Sequence, residues 1–139
     1  MGYNTDYSLR CDVEEDSEIW NQLIARFAKR FDEKDATELL VGQMNHTWYS
    51  YEDDMTTISK EFPDVCFHLK GKGESKQDRW QTVYYNGNSM KVPTWYEFLC
   101  SKLNKELVDS WKKEYSDMNP FDVDQPKWEE WKRELSNKN

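Results

Sequence analysis

Between Tyr3 and Val13 the chain alternates strictly: Tyr3, Thr5, Tyr7, Leu9, Cys11 and Val13 are interleaved with Asn4, Asp6, Ser8, Arg10 and Asp12. A period of two sends successive side chains to opposite faces of an extended backbone, so the pattern predicts a strand with one buried face. That element obliges the rest of the chain to supply a sheet and a cover for it. Aliphatic material for the cover is scarce. Leu, Ile, Val and Phe total 25 of 139 residues and the net charge is −8, a pairing that ordinarily marks disorder. Seven Trp and eight Tyr reverse that expectation, because each large ring can bury about 150–250 Å². The expected core is aromatic, and the length suits one domain.

The acids Glu14, Glu15, Asp16 and Glu18 surround the start of a predicted helix, where they favour the positive end of its dipole. Trp20, Leu23, Ile24, Phe27, Ala28 and Phe31 form its apolar stripe. Leu39 to Tyr49 reads as a second strand. Ser50-Tyr51-Glu52-Asp53 has the spacing of a capping box, and Tyr51, Met55, Ile58 and Phe62 continue at helical spacing until Pro63. Val65, Phe67 and Leu69 then alternate with Cys66, His68 and Lys70. A polar loop at Gly71-Lys72-Gly73-Glu74 leads to an aromatic strand from Arg79 to Tyr85, closed by Asn86-Gly87-Asn88, which together predict a hairpin. A second capping box at Thr94-Trp95-Tyr96-Glu97 opens a helix along Leu99, Leu103, Leu107 and Trp111 that extends toward Met118. The stretch from Asn119 to Pro126 is linker-like, and Trp128, Trp131 and Leu135 mark a last helix. The expected division is an α+β body over residues 1–118 and a short linker with a tail helix over 119–139.

The element order predicts an α+β sandwich, an antiparallel-rich sheet with helices on one face and further helices appended at the C-terminal side. A ferredoxin-like arrangement is the first choice. The block Trp48-Tyr49-x-Tyr51-x-Asp53-Asp54-Met55, Ser59-Lys60-x-Phe62-Pro63-Asp64-Val65-x-Phe67-x-Leu69, Gly71-x-Gly73-Glu74 and Asp78-x-Trp80 resembles small phage, prophage and bacterial proteins with such a domain. The resemblance covers roughly residues 1–90, and it implies a fold and a mobile-element setting and no particular reaction.

Other classes are disfavoured by what the chain lacks. Its longest apolar runs, such as Leu39 to Val41, fall far short of the ~20 residues that span a bilayer. The first residues show neither a basic n-region nor an apolar h-region, so the expected compartment is the cytoplasm. Cys11, Cys66 and Cys100 are widely spaced and form no CxxC, which suits buried thiols. Cys66 and His68 share a strand face but have none of the paired spacing of a zinc site, and a thiol and a polar tip on a less buried face is the preferred reading. No cofactor or metal is expected. A cysteine paired with His46 or His68 is too little to define a nucleophile, and Gly71-Lys72-Gly73 lacks the spacing of a phosphate loop. Lys70, Lys72, Lys76 and Arg79 beside Trp80 and Tyr84 could make a small single-strand-binding spot, although a solvated turn explains them as well.

The acids carry the functional expectation. Glu14, Glu15, Asp16 and Glu18, with Asp12, form one negative edge, and Glu52, Asp53 and Asp54 form another. Such edges can imitate nucleic-acid phosphates and steer a protein onto a basic surface. The expected function is non-enzymatic: inhibition of a host nucleic-acid-handling protein with a basic surface, an anti-CRISPR being the sharpest form. An enzyme acting on nucleotides or nucleic acid and a structural or assembly protein are the alternatives, and plain solubility is the ordinary use of such charge. Trp128 and Trp131 lie one helical turn apart and either dock on the body or anchor the partner, docking being preferred.

Overall fold

The structure, a computed structural model, describes residues 4–73, 79–92 and 127–137. The alternating segment forms β1 (Thr5–Cys11), with Thr5, Tyr7 and Leu9 buried in strict turn. It sits second in a five-stranded sheet of order β2-β1-β3-β4-β5, whose other members are β2 (Met44–His46), β3 (Cys66–Lys72), β4 (Arg79–Tyr85) and β5 (Asn88–Lys91). Every pairing is antiparallel, with Leu9 opposite Leu69, which in turn faces Thr82. The architecture is therefore α+β. The strand order is not ferredoxin-like, because that fold needs a crossover helix joining two parallel strands separated by a third, whereas here the second strand in the chain pairs directly and antiparallel with the first.

Three helices cover one sheet face: α1 (Glu18–Ala28), α2 (Glu33–Val41) and α3 (Tyr51–Glu61). Trp20, Leu23 and Phe27 of α1, Leu39 and Leu40 of α2, and Met55 and Ile58 of α3 join Tyr7, Leu9, Phe67, Leu69 and Tyr84 in one buried cluster. The expected strand from Leu39 to Tyr49 begins as helix, since Leu39–Val41 are the end of α2. Asp32 caps α2 by accepting from the Asp35 amide at 2.7 Å, and Ala36, Leu39 and Leu40 then fall on one helical face. Only Met44–His46 remain as strand. The helix expected at the C-terminal side docks on the body. A fourth helix, α4 (Trp128–Ser136), packs Trp131 and Leu135 against Cys66 and Val83 on the opposite face. The predicted helix from Thr94 toward Met118 and the 118/119 boundary lie outside the described residues. Among the described residues, no helix is long and apolar enough to cross a membrane.

Asn86 and Gly87 both have positive φ, 48° and 81°, as a type I′ hairpin turn requires. The turn therefore continues into β5, a strand the sequence reading did not anticipate.

The core is aromatic where the sheet meets α3. Tyr51 stacks on Trp80 with centroids 4.4 Å apart, and Tyr7 meets Trp48 edge-on at 5.3 Å. Trp80 lies over Gly71, its cross-strand partner, so closely that an added Cβ would stand 2.2 Å from the indole. Gly71→Ala should displace Trp80, break its stack on Tyr51 and cost about 1–3 kcal/mol as overpacking. Urea unfolding measures this; an unchanged midpoint would contradict the role assigned to the glycine.

Candidate functional site

At the end of β1 the chain fixes itself before it turns outward. Asp12 accepts from the Cys66 amide at 2.8 Å, its own amide bonds the Cys66 carbonyl at 3.3 Å, and its carboxylate pairs with Lys132 of α4. Beyond it, Glu14, Glu15, Asp16 and Glu18 are all exposed. The backbone that presents them is held: Ser17 donates its amide to the Glu14 carbonyl at 3.2 Å, and its hydroxyl caps α1 by accepting from the Trp20 amide at 3.2 Å. Asp16 takes the left-handed conformation, φ 67°, which Asp tolerates better than most residues. Among the described residues, none of these side chains enters an ion pair or hydrogen bond. Ile19, 43% exposed, is the apolar residue beside them.

The second acidic group divides. Asp54 is internal: it accepts from Trp48 Nε1 at 2.7 Å, the Ser50 hydroxyl at 2.8 Å and Arg30 Nε at 3.2 Å. Burial alone would raise its pKa, but these hydrogen bonds, with the Arg30 charge, hold it below the usual carboxylate value. The expected capping box is not formed, since the Ser50 hydroxyl is spent on Asp54 and caps no amide. Glu52 and Asp53 are exposed and help line a cavity of about 350 Å³ with Thr82, Tyr84, Ser89 and Lys91. Tyr51 stacks on Trp80 at the start of β4, whereas Asp12 is bonded to Cys66, which pairs with Tyr85 at the end of β4. Arg30, just past α1, pairs with Asp54 near the start of α3, and Arg26 of α1 pairs with Glu61 at its end, so the two helices run in opposite senses and the acidic groups at their N-terminal ends do not make one surface.

The C-terminal aromatics belong to the body. Trp131 is 6% exposed and tilts over His68 at 4.9 Å, while Trp128 meets Trp131 edge-on at 5.4 Å and is half-buried. Trp131 is therefore part of the core. Cys66 and His68 are not on a less buried face, as expected, because α4 covers them. Burial pushes the Cys11 thiol up to about 11 and the Cys66 thiol up to about 12, so neither supplies thiolate near neutrality. The expected basic and aromatic spot also comes apart. Lys70 and Lys72 alternate with Gly71, the residue that Trp80 covers, so they point to the face opposite Trp80 and Tyr84. Lys76 lies outside the described residues.

Two participants were missed by sequence reading. Lys132 carries no signal until its helix is placed over Asp12. Ile19 sits at a half-exposed position that helical spacing alone leaves ambiguous. Comparison with known proteins finds no matching family model, no matching curated protein and no matching solved structure, so the functional reading stands on this geometry.

His68 supplies a pH test of α4 docking. Its Nε2 bonds Gln81 Oε1 at 2.7 Å, its Nδ1 is buried without a partner, and burial, aided by Lys70 and Arg10, lowers its pKa to about 4. The unfolded chain takes up this proton near pH 6.5 and the folded chain does not, so stability is present above that pH and falls between about 6.5 and 4. A His68→Asn variant should lack this loss, giving a difference on the order of 3 kcal/mol across the window. Unfolding curves at several pH values decide it; parallel pH profiles for the two proteins would contradict the assignment.

Proposed function

We propose that the protein is a non-enzymatic binding protein that uses the loop Glu14, Glu15, Asp16 and Glu18 to occupy a basic surface on a nucleic-acid-handling host protein. The observation that carries this reading is the contrast among its carboxylates. Asp12 and Asp54 are consumed by internal partners. The loop acids are exposed, unpaired among the described residues and presented by a capped turn. Charges without an internal partner leave their field directed outward, where it raises the rate of encounter with a basic surface and disfavours nucleic acid itself. An anti-defence inhibitor such as an anti-CRISPR is the sharpest form of the proposal, and its mobile-element setting rests on the resemblance, over roughly residues 1–90, to small phage, prophage and bacterial proteins. Glu52 and Asp53, standing elsewhere, are a separate contact in this reading, and Trp131 is not a contact at all.

The test is affinity capture from host lysate, identification of the retained protein, and association kinetics against it. A variant carrying Glu14→Lys, Glu15→Lys and Glu18→Lys should associate at least about tenfold more slowly at low salt and lose much of its salt dependence. Asp16 is left in place because of its backbone conformation. An unaltered association rate at low salt would sink the reading. Trp131→Ala should instead unfold the protein more readily, by about 3–5 kcal/mol, and a loss of affinity without loss of stability would return Trp131 to the interface.

A further inference from the structure

The turn between β4 and β5 carries a covalent chemistry of its own. Asn86-Gly87 is the one Asn-Gly pair in the chain, and asparagine is among the chemically labile residues. A glycine that follows it leaves the next amide nitrogen without a shielding side chain. That nitrogen can attack the side-chain carbonyl before it: Gly87 N bonds to Asn86 Cγ, the Cγ–Nδ2 bond breaks, and ammonia departs with the proton that Gly87 gives up. Water then opens the resulting succinimide on either side. The products are aspartate and isoaspartate, and isoaspartate adds a methylene to the backbone of the turn.

The fold treats the two reacting groups unequally. Asn86 is exposed, and among the described residues its side chain enters no hydrogen bond, so the electrophile is open to attack. The Gly87 amide is held instead, donating to the Ser59 hydroxyl of α3 at 2.9 Å. Ser59 is buried, and its hydroxyl is fixed by donating in turn to the Thr56 carbonyl at 2.9 Å. Lys60 closes over the same residue, its stem reaching within 2.6 Å of where a Gly87 Cβ would stand. An amide whose proton is engaged by a buried acceptor is harder to deprotonate, and its plane cannot swing toward Asn86 Cγ until that bond opens. We propose that Asn86 is a latent modification site, a self-converting asparagine that the Ser59–Gly87 hydrogen bond keeps intact in the folded protein. Its only co-reactant is water. Opening of the hairpin away from α3 releases the conversion, and an isoaspartate there would break the two-residue turn that sets the β4–β5 register. The inference goes beyond the loop reading and does not depend on it, because it rests on the contact between α3 and the turn.

The test incubates the full chain at mildly alkaline pH and maps aspartate and isoaspartate at position 86 by peptide analysis. The capped peptide Tyr-Tyr-Asn-Gly-Asn-Ser, which has the sequence of the turn without α3, sets the unprotected rate. The protein should convert at least about tenfold more slowly than the peptide, and Ser59→Ala at least about fivefold faster than the parent. Gly71→Ala, which loosens the other end of β4, controls for general destabilisation and should convert at close to the parental rate. Hydrogen exchange of the Gly87 amide in the parent needs no variant and should be slowed at least about tenfold relative to the peptide. The proposal is overturned if the parent converts as fast as the peptide, if its Gly87 amide exchanges as fast, if Ser59→Ala converts at the parental rate, or if Gly71→Ala accelerates conversion as much as Ser59→Ala does.

Discussion

One carboxylate sets the terms for the aromatic core. A chain short of aliphatic residues must fill its interior with rings, and Trp and Tyr carry polar edges that need partners once water is removed. Asp54 provides one at 2.7 Å from Trp48 Nε1. It simultaneously holds Ser50, at the start of α3, and Arg30, just beyond α1. With Tyr7 donating to the Trp48 carbonyl at 3.2 Å, β1, the segment before α3 and two helices meet around Trp48. The ring positions that follow, Phe31 edge-on at 5.0 Å and the Tyr51–Trp80 stack over Gly71, depend on that arrangement.

The second sheet face is held by a smaller device of the same kind. Asp12 ties the end of β1 to β3 through the Cys66 amide and to α4 through Lys132, and Asn88 at the start of β5 donates to the Leu135 carbonyl at 3.0 Å. These bonds bring Trp131 and Leu135 onto Cys66, Val83 and His68. The acids of this protein thus fall into two groups by geometry. Asp12 and Asp54 are spent on folding, whereas Glu14, Glu15, Asp16 and Glu18 make no contribution to the core that the structure records. The proposed contact with a partner is placed on the second group for that reason.

Much of the fold was legible where periodicity was long and clean. β1, the α1 stripe, the α3 stripe and the β3–β4 hairpin follow from alternation or helical spacing. Leu39-Leu40-Val41 was misread because a run of three apolar residues has no period of its own, and the Asp32 cap that decides the matter lies upstream. Burial of the second face was illegible because Cys66, His68, Lys70 and Gln81 look half-polar in sequence and are all buried in the fold. The candidate site was legible as charge density but not as geometry. Asp53 and Asp54 are adjacent in sequence, and only three-dimensional placement shows that one is exposed and the other is tied to Trp48.

The division of the carboxylates is the central claim, and equilibrium urea unfolding of two variants tests it most directly. Replacing Glu14, Glu15 and Glu18 together by Gln should change stability by no more than about 1 kcal/mol, the worth of a first-turn acid at a helix N-terminus. Asp54→Asn should cost about 1–3 kcal/mol, because the amide accepts fewer hydrogen bonds and carries no charge for Arg30. A loop variant that lost as much stability as Asp54→Asn would show that these acids also serve the fold, and the basis for assigning them to a partner would be gone.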